Sequence, residues 1–341
     1  MGAQKSDGAE RRLEKMARCR KMSTLTICIP TYNRAAFLDE CLASLCPQLT
    51  EGVELIVLDN ASSDETATVV GKWRQATPLG IGYERHPENI GGNRNLDAAA
   101  RRGKGRYIWV LGDDEVVLAG AVKRILSLVA QGVDFVILNH AIYDLKMEKP
   151  LVPYWFGLNE DRELKNCNEA MAYLGLSAGF ISAIVTKREI LTSPSPEEAE
   201  KYAKHGFNQV YAFYKGLSSG GSGVVTGEVV LHARGGNARG YDWSDFFVTG
   251  VGVVFSDLGR NCGYSRKSVR AALSNCIVRY HVGHLVESKF LKRSTRDIIS
   301  KGFRHFSLCG RYWVVLIPLS VIPPFMFQLA RRAKRRLKRA A

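Results

Sequence analysis

The stretch "RYIWVLGDDEVVL", residues 106–118, decides how the chain is read. Tyr107, Ile108, Trp109, Val110 and Leu111 have the length and composition of a buried strand. Gly112 breaks the run, and Asp113, Asp114 and Glu115 follow without a gap before Val116, Val117 and Leu118 resume it. Three adjacent carboxylates repel one another, and burying them unpaired is costly. A positive partner is therefore expected beside them.

Strand and helix patterns alternate on both sides of this stretch. "TLTICI" (24–29) is a short apolar run, and "AAFLDECLASLC" (35–46) sets Phe37, Leu38, Cys41, Leu42 and Leu45 at helical spacing. "VELIVLD" (53–59) is a second strand. Ser62 or Ser63 is expected to cap a helix over 64–76, with Asp64 and Glu65 in its first turn, where the helix dipole favours acids. "IGYER" (81–85) is a weaker strand. Gly91 and Gly92 open a short helix through "NRNLDAAARR", a helix is expected over 120–131, and "VDFVILN" (133–139) is another strand. Such alternation predicts an α/β fold with a mainly parallel sheet covered by helices on both faces. Ligands of such sheets gather at the carboxyl ends of the strands. Residues 30–33, Asp59 with Asn60, and 112–115 all fall there.

Beyond residue 145 the alternation loosens. "FISAIVTK" (180–187) reads as a strand, 196–217 as one helix with Pro196 near its start, and 223–237 as a strand entering a glycine-rich loop. Residues 242–309 read as mostly helical. The 341 residues are 46% hydrophobic, enough for one large domain or two smaller ones. Of the net charge of +15, residues 331–341 carry +7 and residues 1–22 carry +4, leaving a mildly basic body. This distribution argues against a nucleic-acid partner. The eight cysteines show no Cys-x-x-Cys pair and no zinc spacing, and read as small buried hydrophobes. The polar N-terminus lacks the apolar core of an export signal. Residues 312–330 carry no charge but contain Pro318, Pro323 and Pro324, a poor pattern for one membrane-spanning helix. With the polybasic tail adjoining, the segment reads as lying on an anionic membrane surface or entering it shallowly.

Four motifs together resemble the family 2 glycosyltransferases, whose nucleotide-binding fold is called GT-A: "ICIPTYNRAAFLDECLASL" (27–45), "VELIVLDNASSDET" (53–66), "ENIGGNRNLDAAA" (88–100) and "GRYIWVLGDDEVV" (105–117). The segments 174–190 and "HARGGNARG" (232–240) look more loosely like the abequosyltransferase-like branch, which acts in bacterial surface-polysaccharide assembly. The resemblance implies a GT-A domain over 23–240, with a nucleotide-binding half (23–140) and an acceptor half (141–240). A helical region (241–310) and a membrane-associating segment with its basic tail (311–341) follow, and residues 1–22 form a basic N-terminal tail.

The resemblance also assigns roles. Pro30, Tyr32 and Asn33 face base and ribose, and Asp59 accepts a hydrogen bond from the nucleobase. Arg34 can pair with a phosphate. Asn89, Gly91, Arg94 and Asn95 border the diphosphate, where glycines allow close backbone approach and a helix N-terminus offers amide donors. GT-A enzymes use an Asp-x-Asp type motif to hold Mg²⁺ or Mn²⁺ on the donor diphosphate, and hard oxygen ligands suit those ions. Gly112 stands where the first Asp often is, so Asp114 is the expected metal ligand, Asp113 faces the ribose or donor sugar, and Glu115 stands behind them. An inverting enzyme also needs a general base. Glu200 and His205 are the candidates, with Asp242 and Asp245 as outside alternatives. The residues of "HARGGNARG" (His232, Arg234, Asn237, Arg239 and the hinges Gly235, Gly236 and Gly240) form either a closing loop or a plain surface loop.

The expected function is transfer of a sugar from a nucleotide-sugar donor to a glycan acceptor carried on a polyprenyl diphosphate, at the cytoplasmic face of the plasma membrane. Competing readings are a degenerate transferase fold acting as a binding partner subunit, and a nucleotidyltransferase. The latter wants a glycine-rich loop after the first strand, and "PTYNR" has no glycine.

Overall fold

The computed structural model describes residues 23–236, 244–291 and 293–327. The basic tail 1–22, the stretch 237–243 (with Asn237, Arg239, Gly240 and Asp242) and residues 328–341 lie outside the described residues. Two compact units interleave along the chain. The first comprises the described residues up to 162 together with 181–192 and 224–236, and the rest form the second. Residues 163–180 and 193–223 therefore group with the C-terminal helices.

The first unit is built on a ten-stranded sheet: β1 Leu25–Thr31, β2 Val53–Asp59, β3 Gly82–Arg85, β4 Tyr107–Val110, β5 Val116–Val117, β6 Phe135–Tyr143, β7 Pro150–Val152, β8 Arg162–Leu164, β9 Ile184–Lys187 and β10 Gly223–Arg234. The main path runs β3-β2-β1-β4-β9-β6-β10-β5, with β7 and β8 off it. The expected α/β layout is present, but the sheet is mixed. β3, β2, β1 and β4 are parallel, whereas the pairs β4–β9, β9–β6 and β10–β5 are antiparallel.

β1 and β2 are nearly continuous apolar runs, as strands covered on both faces must be. Leu25, Ile27, Cys28 and Ile29 are fully buried, as is Val57 across from Ile29. Register then aligns the functional ends. Thr31 pairs with Asp59, and the Leu111 N–H donates to the Cys28 carbonyl (2.9 Å). The acidic turn thus leaves β4 alongside residues 30–34. Helices α1 Ala35–Leu45, α2 Thr66–Ala76, α3 Gly92–Arg102 and α4 Ala121–Val129 connect the strands. α1 buries Leu38, Cys41, Leu42 and Leu45 of its five spaced apolar residues, and Phe37 is half-buried.

The start of α2 departs from the sequence reading. Glu65 holds its N-cap position without a side-chain cap. Ser62 instead accepts the Asn33 N–H (2.9 Å), and Asp64 bridges to the Ala35 N–H (2.9 Å) and the Thr66 N–H (3.1 Å). These side chains tie the first two strand-end loops together. The expected strand over 180–187 is shorter, because residues 181–183 form a helical turn before β9.

The second unit is helical: α5 Cys167–Leu174, α6 Pro196–Ala203, α7 Asn208–Leu217, α8 Val251–Asn261, α9 Arg266–Cys276, α10 Val282–Phe290 and α11 Arg296–Phe306. Tyr214, Phe255, Leu285 and Phe306 are among its fully buried side chains. The single helix expected over 196–217 is two. α6 begins on a capping box between Ser195 and Glu198. The chain then turns at Gly206, whose φ is +75°.

The apolar segment continues as helix over Tyr312–Leu316 and Ile317–Val321, then bends at Pro323. No helix among the described residues is long and apolar enough to cross a membrane. Tyr312 and Leu316 pack inward, whereas Leu308, Val314 and Val321 are more than 70% exposed and Trp313, Phe325 and Met326 are about half exposed.

A side chain at Gly206 would strain the left-handed backbone and place its Cβ 1.8 Å from the Phe246 ring. Gly206→Ala is expected to cost at least about 2 kcal/mol, seen as a lower midpoint in chemical denaturation.

Candidate functional site

The strand ends of β1, β2 and β4 assemble a polar cluster with little exposure. Asp59, Asn60, Asn95, Asp113 and Glu115 are buried, and Asp114 is 9% exposed. The positive partner demanded by the acidic run is Arg34, at the start of α1. Its guanidinium bridges two carboxylates, with Nη1 3.0 Å from Asp113 Oδ1 and Nη2 2.7 Å from Asp114 Oδ2. The Thr31 hydroxyl donates to the other Asp113 oxygen at 2.7 Å. Burial pushes the Asp113 carboxyl up to about 6, against the opposing pull of Arg34 and Thr31.

Glu115 points elsewhere. Its carboxyl accepts from the Ser182 hydroxyl (3.1 Å) and from the Arg234 N–H (3.3 Å). Burial, and then the charge of Asp114, push it well above the usual carboxylate range and favour the neutral acid. Ser182 also accepts the Gly112 N–H (3.0 Å), and its carbonyl accepts from the Trp109 indole (2.7 Å). The geometry explains glycine at 112. A Cβ there would lie 3.1–3.3 Å from Glu115 Oε1, Ser182 Oγ and Asp114 Oδ1. A carboxylate at this position would crowd three oxygens.

Arg234 stands on β10 rather than in a loop, and its side chain is 2% exposed. It pairs with Glu40 of α1 and donates to the carbonyls of Asp114 (3.2 Å) and Leu145 (2.5 Å). The Phe37 ring lies between two cations, 5.0 Å from Arg34 and 4.8 Å from Arg234. His232 also lies on β10, its ring against Tyr143 at 4.4 Å, and burial lowers its pKa.

Asp59 is fixed on both oxygens, by the Ser62 N–H (2.8 Å) and the Tyr83 hydroxyl (2.6 Å). The Arg85 guanidinium also faces Asp59 Oδ2, at 3.7 Å. Pro30 lies within β1, whereas Tyr32 is 43% exposed. Asn33 adopts φ +51° and accepts the Ser63 N–H (2.7 Å). Asn89 links to Asn60 (2.8 Å) and accepts the Gly91 N–H (2.8 Å), which sets the turn before α3. Gly91 has φ +88°, as the double glycine implies. Arg94 is exposed on the first turn of α3. Asn95 turns inward, to the Leu58 carbonyl (3.3 Å) and His86 (3.1 Å). The structure thus brings Thr31, Arg34, Asp113 and Asp114 into direct contact. It links Asn33, Asp59 and Ser62 in one loop network and Asn60, Asn89 and Gly91 in another.

The proposed bases belong to the second unit, Glu200 on α6 and His205 in the bend after it. Asp245 is paired with Lys301 (2.5 Å). No group of three or more His, Cys, Asp or Glu side chains that could hold a metal occurs among the described residues. Asp113 and Asp114 nevertheless offer hard oxygen donors side by side, a set that suits a divalent cation whose other ligands come from phosphate and water. Sequence reasoning placed Phe37 on the apolar face of α1 rather than at the site, and it missed Glu40 and Ser182, which lie on helix or turn segments with no distinguishing pattern.

Residues 26–179 match the model of the Glycosyl transferase family 2. Abequosyltransferase RfbV of Salmonella typhimurium is 28% identical over 176 residues, 48% of this chain and 53% of the relative. The GalNAc(5)-diNAcBac-PP-undecaprenol beta-1,3-glucosyltransferase of Campylobacter jejuni is 30% identical over 33% of this chain and 36% of that protein. The chain thus spans about half the length, or less, of these curated relatives. Among solved structures, S. aureus TarS 1-349 in complex with UDP superposes with a TM-score of 0.61 at 15% identity, over 84% of this chain and 83% of that one. The mannosyltransferase PcManGT of Pyrobaculum calidifontis, in complex with GDP-Man and Mn2+, gives 0.53 at 16% identity, over 88% and 85%. At such identities the likeness is one of fold.

Ser182→Ala would leave the Gly112 N–H and the buried Glu115 carboxyl without their shared hydroxyl. A loss of about 1–3 kcal/mol in unfolding free energy is expected, measured by denaturant titration.

Proposed function

We propose that the chain, whose residues 26–179 match the model of the Glycosyl transferase family 2, moves one sugar from a nucleotide-sugar donor to a hydroxyl of a growing surface glycan, inverting the anomeric centre. The observation that carries this reading is the pair Asp113–Asp114 at the end of β4, beside the end of β1. Asp59, with Tyr32 and Asn33, takes the nucleobase and ribose. Asp113 holds the ribose or donor sugar. The amide groups at the start of α3, with Arg94, face the diphosphate. Asp114 is the proposed ligand for Mg²⁺ or Mn²⁺, which when bound would offset the charge of the departing nucleoside diphosphate. Glu200 and His205 are kept as the candidates for the general base.

A nucleotide-sugar screen for Mn²⁺-dependent stabilisation and hydrolysis tests the reading. Asp114→Ala should reduce hydrolysis or transfer by about 10²-fold or more. The rival reading, a degenerate binding subunit, draws on Arg34 bridging both carboxylates. It requires Asp114→Ala to leave nucleotide-sugar binding intact and wild-type turnover to be absent.

The pH dependence has a definite sign. The Asp113 pKa is raised to about 6, and only its ionised form accepts hydrogen bonds on both oxygens. kcat/KM is expected to fall tenfold per pH unit below about pH 6 and to level off above it. Asp113→Asn should remove that limb.

The acceptor is proposed to be lipid-linked, at the cytoplasmic membrane face. Support comes from the PP-undecaprenol named for the Campylobacter relative, the exposed apolar side chains over 308–326 and the basic sequence 331–341. Since Tyr312 and Leu316 are buried, the informative deletion is 328–341. It should abolish sedimentation with vesicles rich in phosphatidylglycerol and leave donor binding unchanged.

A further inference from the structure

We propose that Arg34 is a built-in stand-in for the divalent cation: it holds Asp113 and Asp114 in the nucleotide-free protein and moves to the donor diphosphate when the cation takes its place. The proposal rests on the metal-dependent donor reading above and adds a role for one side chain in it.

Three observations carry it. First, the guanidinium lies on the same two carboxylates whose oxygens suit a cation, 3.0 and 2.7 Å away. A cation on Asp114 Oδ2 takes the oxygen that Arg34 holds at 2.7 Å, and the two cannot share it. A divalent ion brings twice the charge of the guanidinium to the same oxygens, in a smaller volume.

Second, the partners differ in freedom. The Arg34 side chain is 33% exposed, and those of Asp113 and Asp114 are 5% and 11% exposed. The acids are fixed by Thr31 and by a turn pinned through Ser182 and Arg234. Arg34 is held less firmly. It occupies the N-cap position of α1 but makes no side-chain cap. Asp64 takes the first helical N–H, that of Ala35, in its stead. The guanidinium can therefore swing away without fraying the helix.

Third, the fork that fits two carboxylate oxygens also fits phosphate oxygens. A diphosphate arriving with the cation replaces the bonds that Arg34 gives up. Cation and nucleotide then bind interdependently, and such coupling is reciprocal. Either ligand alone must displace or forgo Arg34, whereas together they satisfy it. The site would thus resist loading with metal alone.

Mn²⁺ binding to the full chain tests this, measured by electron paramagnetic resonance of free Mn²⁺, without nucleotide and with saturating UDP, GDP or CDP. Wild type is expected to bind Mn²⁺ alone at least tenfold more weakly than with the nucleotide it prefers. Arg34→Gln should bind Mn²⁺ alone at least tenfold more tightly than wild type, and its coupling should shrink by about the same factor, the remainder coming from the diphosphate's own bonds to the metal. Arg34→Lys, which keeps the charge but loses the fork, should fall between wild type and Arg34→Gln. Arg34→Met repeats the measurement in case the Gln amide finds a new partner, and melting curves verify folding of each variant. The proposal is overturned if Arg34→Gln and Arg34→Met bind Mn²⁺ alone as weakly as wild type, or if their coupling is undiminished. Failure of Mn²⁺ to bind any of these proteins, with or without nucleotide, instead overturns the metal-dependent reading, and this proposal with it.

Discussion

One guanidinium shared by two buried carboxylates is the contact on which the candidate site depends. Asp113 and Asp114 sit at the end of a core strand, where ionised acids are costly without a partner. Arg34 supplies that partner only because β1 and β4 are parallel neighbours. Their register delivers the start of α1 and the acidic turn to the same edge of the sheet. The remaining contacts of the turn keep this geometry. Ser182 takes the Gly112 N–H, Arg234 takes the Asp114 carbonyl, and Glu115 is drawn away from the other two acids. A run of three like residues is thereby divided into two that face the site and one that braces it.

The loops of β1 and β2 show the same economy. Asp59, Ser62 and Asn33 are tied together across two strand ends, and Asp64 reaches back to the Ala35 N–H. Ser62 is not spent on capping the next helix, although it has the residue type for it, and Asp64 divides its carboxylate between the first N–H of α1 and that of α2. Competition between local and long-range hydrogen bonds explains the difference. A hydroxyl or carboxylate at a strand end can serve either the next helix or the neighbouring loop, and here the neighbouring loop is bound.

Much of the fold was legible because apolar runs and turn residues are local signals. The parallel half of the sheet, α1 and the glycine-led start of α3 follow from period, length and glycine placement. The helix break at Gly206 was not legible, since its neighbours 196–217 are otherwise good helix formers. It takes the approach of Phe246 to make glycine obligatory there. The antiparallel half of the sheet was equally hidden, because strand direction depends on which distant strand offers a free edge. At the site, the acids and Arg34 stood out as charged residues beside core strands. Phe37, Glu40 and Ser182 did not, as each is an unremarkable residue in its own segment.

The sequence by itself determined that polar groups crowd the carboxyl ends of successive strands, and that the acidic run needs a cation. Those are consequences of periodicity and of the cost of burying charge. Only the tertiary structure decided which cation answers, which acid is turned aside and which residues brace the turn. Each of those choices is a contact between residues some 67 to 120 positions apart in the chain. Such contacts depend on strand order and register, and no local pattern encodes either.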